Sequence, residues 1–130
     1  MRPETVFATL DDKVAELNRR YRYHAAVSVL EHALGDPDVG EIALVSSFGA
    51  ESVVLLHMLS VMAADTPVLF IDTRMLFPET LAYQREVAEK LRLTNVRVLR
   101  AAPGRLAQED PDGTLHRTDP DTCCSVRKTE

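Results

Sequence analysis

The sequence predicts an α/β fold, a parallel sheet with flanking helices, and two observations carry that prediction. Three short apolar stretches, Glu41–Val45, Val68–Ile71 and Asn95–Leu99, have the length and β-branched character of strands. The first two are each followed by a helix-length segment, from about Ala50 to Ala64 and from Pro78 to about Leu91. Strands separated by helices in this way require right-handed crossovers and therefore parallel pairing.

The elements follow in order. Leu10, Val14, Leu17 and Tyr21 recur at helical spacing, and Ala26, Leu30 and Ala33 continue an apolar stripe, so Leu10–Leu34 reads as helix. Gly35 and Pro37 stop it, and Asp36–Gly40 is a turn. The helix from Ala50 is apolar around most of its circumference, which predicts burial on more than one side. Asp65-Thr66-Pro67 breaks it. Pro78 with Glu79 beside it is a helix start, and Leu81, Val87, Ala88 and Leu91 should face inward. Beyond Ala101 the periodicity fails, and Pro103-Gly104, Pro111-Asp112-Gly113 and Asp119-Pro120 punctuate a polar loop.

At 130 residues with 45 % apolar side chains the chain has material for one core. One domain, 1–130, is expected, with 1–40 as a helical lead-in and 101–130 as a loop carrying two cysteines. Tryptophan is absent and aromatic residues make up 5 %, so the core should be aliphatic. A net charge of −5 argues against a nucleic-acid partner, which needs a basic stripe, but permits a small anion held by local donors. Met1–Lys13 is polar and acidic, unlike a secretory signal. The longest apolar run, Ser52–Ala64, is too short to cross a bilayer. Two adjacent cysteines are no disulfide framework. A cytoplasmic protein with no membrane partner is the expectation. The sheet is thin and the chain ends at Arg127-Lys128-Thr129-Glu130 without a closing element, so an N-terminal portion of something longer is expected.

Three constellations can carry chemistry. In Ser46-Ser47-Phe48-Gly49-Ala50-Glu51-Ser52 a strand passes through a tight loop into a helix, where free backbone N–H groups and the helix dipole favour an anion. Three serines offer hydroxyl donors and Gly49 permits close approach. The loop lacks the second glycine and the lysine of a Walker sequence and two of the three glycines of a dinucleotide fingerprint. An ordinary strand–helix turn with serine as cap explains it equally well. Asp72 and Thr73 end the second strand, where a carboxylate can bind a hydroxyl, a base or a metal. Glu79 is best read as an acid stabilising its own helix N-terminus.

The third constellation is Cys123-Cys124-Ser125-Val126-Arg127-Lys128. Adjacent thiolates can ligate one metal centre, and the two cations can stabilise thiolate charge or draw in an anion. A mononuclear zinc site usually spaces its cysteines further apart, and two thiolates do not complete an iron–sulfur cluster. A chance pair of thiols in a mobile tail is the bland alternative. Among the histidines, only His116 lies near the pair. Glu109, Asp110, Asp112, Asp119 and Asp121 read as a solvated loop.

Together, Ser46–Glu51, Ile71-Asp72-Thr73 with Leu76-Phe77-Pro78-Glu79-Thr80, and Cys123-Cys124 with Arg127-Lys128 resemble the assimilatory adenylyl-sulfate (APS) reductases, relatives of the phosphoadenylyl-sulfate (PAPS) reductases. The resemblance implies a Rossmann-like, adenine-nucleotide α-hydrolase fold. Ser46 to Ser52 would be the modified PP-loop that receives the phosphosulfate, and Asp72 and Thr73 would line the adenosine side. Arg127 would contact substrate. Cys123 and Cys124 would be two of four ligands of a [4Fe–4S] cluster, with Lys128 between cluster and substrate as the catalytic cation. The reaction implied is reduction of APS to sulfite with release of AMP, thioredoxin or glutaredoxin being the reductant, and a homo-oligomer is compatible. The adjacent cysteine pair favours APS over PAPS.

Two departures stand out. Arg74 replaces the glycine that follows Asp-Thr in many relatives, and the later Cys-x-x-Cys and terminal nucleophilic cysteine are absent, so these residues alone should be inactive. Two other readings remain. An ATP-pyrophosphatase of the same fold would carry Ser-Gly-Gly-x-Asp-Ser where this chain has Ser47 to Ser52 with Phe48, Ala50 and Glu51. A non-catalytic nucleotide-binding module would use the cysteine pair as a redox sensor.

Overall fold

The structure, a computed structural model, describes residues 5–129, which fall into two compact units that divide between Ile42 and Ala43. The first unit contains two helices, α1 (Leu10–Tyr21) and α2 (Ala26–Gly35). Thr9 caps α1 by accepting from the Asp12 N–H at 3.1 Å, with Asp11 and Asp12 in the first turn and Arg19 and Arg20 in the last. The single helix expected over Leu10–Leu34 is therefore broken in two. Tyr21 and Ala26 would lie about 140° apart on a continuous helix at 100° per residue, so one straight helix could not keep both stripes on one face.

What closes the unit is ionic. Arg20 reaches back from α1 to Asp36 and, at 2.9 Å, to Asp38, while the Tyr21 hydroxyl donates to Asp36. The Arg20, Asp36 and Asp38 side chains are 10 %, 3 % and 0 % exposed. No residue of α1 or α2 is fully buried, and Leu10, Val14 and Val27 are exposed. The Asp36–Gly40 turn is thus an anchoring segment, with Gly40 in the left-handed region at φ 84°.

The second unit is built on a parallel sheet ordered β1-β2-β3, with β1 at Leu44–Val45, β2 at Val68–Ile71 and β3 at Val96–Leu99. Leu44 aligns with Val68, and Val68 with Val96. The expected strand from Glu41 shortens to two residues because its partner gives out. Pro67 accepts from the Leu44 N–H but has no N–H of its own, and the Thr66 N–H is committed to Ala63. Helices α3 (Ser52–Ala63) and α4 (Pro78–Lys90) follow β1 and β2, as the crossover argument requires. Arg92 ends α4 in the left-handed region, with the Leu93 N–H bonded to the Ala88 carbonyl.

Phe48, Phe70, Leu56, Leu59, Val68 and Val126 are sealed from solvent. The core is not purely aliphatic: Phe48 and Phe70 meet edge to face at 5.5 Å. Nor is α3 buried on more than one side. Leu56 and Leu59 are inside, but Val54 and Val61 are exposed, because three strands supply less apolar surface than a helix apolar all round needs.

The loop expected after Ala101 is instead helical: α5 (Pro103–Glu109), α6 (Leu115–Thr118) and α7 (Pro120–Cys124), continued by a π-helical turn, Ser125–Thr129. The proline–glycine punctuation marks helix starts. Pro103 and Pro120 sit in first turns, and the Asp119 carboxylate caps α7 through the Thr122 N–H and hydroxyl. Those hydrogen bonds hold the Asp119 carboxyl below the usual range.

Candidate functional site

Parallel pairing brings the ends of the strands to one edge of the sheet, where open α/β sheets bind ligands. β1 leads into Ser46, which is buried; its N–H donates to the Leu69 carbonyl, and its hydroxyl accepts from the Phe48 N–H at 3.1 Å. That bond turns the chain through Phe48, which is left-handed at φ 59°, into Gly49, Ala50 and Glu51. Phe48 occupies the first glycine position of the Ser-Gly-Gly alignment. Its ring is buried against Phe70, so core packing holds a backbone conformation that glycine usually supplies. A Cβ on Gly49 would meet the Ser47 and Ser52 hydroxyls only at 3.6 and 4.0 Å, so the loop is open there.

No side chain caps α3, whose cap position is Glu51, so the reading of serine as a cap is not what these contacts show. Ser47, Gly49, Ala50 and Glu51 are exposed and Ser52 half-buried. A twelve-residue helix with an uncapped N-terminus behind an exposed hydroxyl-bearing loop presents backbone donors to an anion.

Asp72, at the end of β2, is buried and fully engaged. One oxygen accepts from the Arg74 N–H at 2.8 Å and the other from Arg100 Nε at 2.9 Å. It shapes the loop, leaving Thr73 to face the cleft. Arg74 is itself left-handed at φ 63° where many members of the resembled family carry glycine. Arg74→Gly should therefore raise stability. Removing about 1–2 kcal/mol of left-handed strain outweighs the roughly 0.5–1 kcal/mol entropic cost of glycine, and a rise in urea midpoint at unchanged slope checks it.

Ser46, Ser47, Ile71, Thr73, Thr80 and Lys128 line a cleft of about 260 Å³. Beside it a second cleft of about 470 Å³ lies between the end of β3 and the π-helical turn, lined by Leu99, Arg100, Ala101, Arg127 and Lys128 among others. Lys128 borders both, so the C-terminal turn delivers a cation to the loop–helix edge. Arg127 behaves differently. It is buried, and it pairs with the Asp110 carboxylate at 2.8 Å. Cys123 is buried and Cys124 exposed on α7, and neither lines these clefts. Among the described residues no group of three or more His, Cys, Asp or Glu could hold a metal ion. The thiol pair fits an iron–sulfur group in chemistry and would supply two of the four ligands such a group takes.

Sequence reasoning did not single out Arg100 or Asp110. Arg100 follows a strand end, the position at which Ser46 and Asp72 drew notice, and that signal was available. Asp110 carried none, because it looks like one acid of several.

Residues 41–130 match the Phosphoadenosine phosphosulfate reductase domain. The chain is 44 % identical over 116 residues to an adenosine 5′-phosphosulfate reductase of Chelativorans sp. (strain BNC1), which covers 88 % of the chain and 47 % of that relative. It is 41 % identical over 118 residues to the same-named enzyme of Mesorhizobium japonicum, covering 91 % of the chain and 46 % of that relative. The chain thus spans about half the length of these curated relatives. The crystal structure of a phosphoadenylyl-sulfate (PAPS) reductase from Candida auris, a phosphate complex, superposes with a TM-score of 0.70 at 21 % identity, over 95 % of this chain and 60 % of that one. That likeness establishes the fold. No helix among the described residues is long and apolar enough to cross a membrane.

Proposed function

The chain belongs to the phosphoadenosine phosphosulfate reductase domain family, and on that footing we propose that it forms the nucleotide-binding part of a cytoplasmic, thioredoxin- or glutaredoxin-dependent adenylyl-sulfate reductase of sulfate assimilation. The observation that carries the reading is the cleft in which Ser46, Ser47 and Thr73 face Lys128 beside an uncapped helix N-terminus. Hydroxyls, backbone N–H groups and one exposed cation are what a phosphosulfate anhydride attached to a nucleoside asks for. The loop has no lysine of its own and bears Phe48, Ala50 and Glu51, so it suits a nucleotide already activated better than one to be cleaved.

The reaction balances as follows. A cysteine thiolate outside these residues attacks the sulfate sulfur of APS; the S–S bond forms, the S–O bond to phosphate breaks, and AMP departs with the electron pair. A reductant thiolate then attacks the cysteine sulfur of the resulting S-sulfocysteine, a disulfide forms and sulfite leaves with the S–S bonding pair, so the two thiols have together given sulfur two electrons. Lys128 stabilises the charge that grows on the departing phosphate oxygens. Ser46, Ser47 and the α3 N-terminus hold the anhydride, and the aliphatic wall of Ile71 and Leu76 excludes water. Cys123 and Cys124 would hold one side of a [4Fe–4S] cluster, which when bound would tune the electrostatics around the cation-bearing turn that follows them.

The full-length protein, purified without oxygen, is expected to be brown, with absorption near about 400 nm. It should release sulfite from APS with thioredoxin and work less well on PAPS. Pyrophosphate release from ATP would overturn the reading. In the present chain, Lys128→Ala should weaken APS binding by about tenfold, the effect of one charge-assisted contact, as read by calorimetry.

A further inference from the structure

We propose that Asp110 is a positioning residue for Lys128, acting through Arg127. Lys128 was assigned to substrate by its chemistry, and Arg127 shares that chemistry, but the structure separates them. The Arg127 side chain is 8 % exposed, its Nη2 is 2.8 Å from Asp110 Oδ2, and its Nε and Nη1 are buried without a hydrogen-bond partner among the described residues. Donors sealed from water are equally sealed from a dissolved anion. Lys128, the next residue, is exposed and borders both clefts. Arg127 anchors the turn and Lys128 works from it.

Asp110 is built for the anchoring role. Its side chain is 3 % exposed, and both oxygens are used. Oδ2 takes Arg127, while Oδ1 accepts the backbone N–H groups of Thr114 and Leu115 at 3.0 and 3.1 Å, where α6 begins. The Asp110 N–H closes α5 on the Leu106 carbonyl at 2.8 Å. One carboxylate therefore ties the end of α5, the start of α6 and the π-helical turn to a single point. A buried ion pair with two idle donors adds little to stability compared with apolar packing, and its established use is to fix register. Register matters here, because Ser125–Thr129 is π-helical, a geometry that is rare and shifts each side chain relative to an α-helical continuation.

The test rests in one arm on the proposed function and in the other on none. Asp110→Asn keeps an acceptor for Thr114 and Leu115 but loses the charge that holds Arg127. In the 130-residue chain, acylation of Lys128 by an amine-selective reagent, read by peptide mass spectrometry against Lys90, is expected to rise about threefold, as local opening of the turn requires, with Lys90 unchanged. An unchanged Lys128, or equal rises at both lysines, overturns the proposal, the second being general loosening. In the other arm, Asp110→Asn should weaken APS binding by about tenfold alone and add nothing in a Lys128→Ala background, the non-additivity of residues acting in series. Additive losses overturn it. Failure of the unsubstituted chain to bind APS counts against the proposed function, and the labelling ratio then decides this inference alone.

Discussion

Phe48→Ala is expected to lower the stability of the chain by about 3–5 kcal/mol, the cost of emptying a large buried aromatic site. Few substitutions should match it, and against a total of about 5–15 kcal/mol for a natural domain it brings the molecule near unfolding at ordinary temperature. The ring is 2 % exposed and packs edge to face on Phe70, so truncation leaves a void that the strand end cannot collapse into. The backbone adds a second, sharper expectation. At φ 59° alanine keeps the left-handed strain that phenylalanine carries, while glycine sheds about 1–2 kcal/mol of it and loses roughly 0.5–1 kcal/mol in unfolded-state entropy. Phe48→Gly should therefore be no worse than Phe48→Ala, reversing the usual order. Urea midpoints of the three proteins decide it, and a glycine variant clearly less stable than the alanine one would falsify the claim that this position is strained.

The same residue shows why parts of the fold were legible and parts were not. Period and length sufficed for β2, α3 and α4, because strands and crossover helices are specified by local pattern. The break between Tyr21 and Ala26 was also written in the sequence, as a jump in stripe phase rather than as a proline or glycine. Helices α5 to α7 escaped because their hydrogen bonds run through Asp110 and Asp119, and nothing local distinguishes an aspartate that caps a helix from one that is solvated. The site divides the same way. Ser46, Ser47, Thr73 and Lys128 could be named from motif and strand end, and they line one cleft. The engagement of Asp72 by Arg100 and the burial of Arg127 are long-range facts, set by partners 28 and 17 residues away. Chemistry at the sheet edge is readable from residue type; which of two neighbouring cations is left exposed is decided by packing.

Arg20→Ala should cost about 3–5 kcal/mol, the penalty of removing one partner from a buried ion pair, and the loss should be confined to the first unit. Asp36 and Asp38 are 3 % and 0 % exposed, and Arg20 is the cation both share. With no fully buried apolar residue in α1 or α2, little else there resists opening. Amide exchange over residues 10–35 should become fast while β2 and β3 stay protected. Arg20→Lys should rescue only in part, since one ammonium does not span two carboxylates as the guanidinium fork does. The pH dependence follows with a definite sign. Burial pushes the Asp36 carboxyl up, but hydrogen bonds from Tyr21 and Arg20 outweigh it and hold the group at about 2. A depressed carboxyl contributes stability above its ordinary value near about 4 and loses it as pH falls towards 2. Asp38 is lowered in the same sense: burial raises it, while the Thr5 N–H and Arg20 prevail. Burial and the bond to Asp36 raise Tyr21, so its contribution is present below about pH 10 and lost as pH rises further. The unit is thus expected to hold between these limits. Removing Arg20 should move the acid limb to higher pH, because Asp36 then keeps its burial but loses the hydrogen bond and charge of Arg20. An acid midpoint for α1 and α2 helicity unchanged by Arg20→Ala would mean that the cluster is not what holds the two helices together.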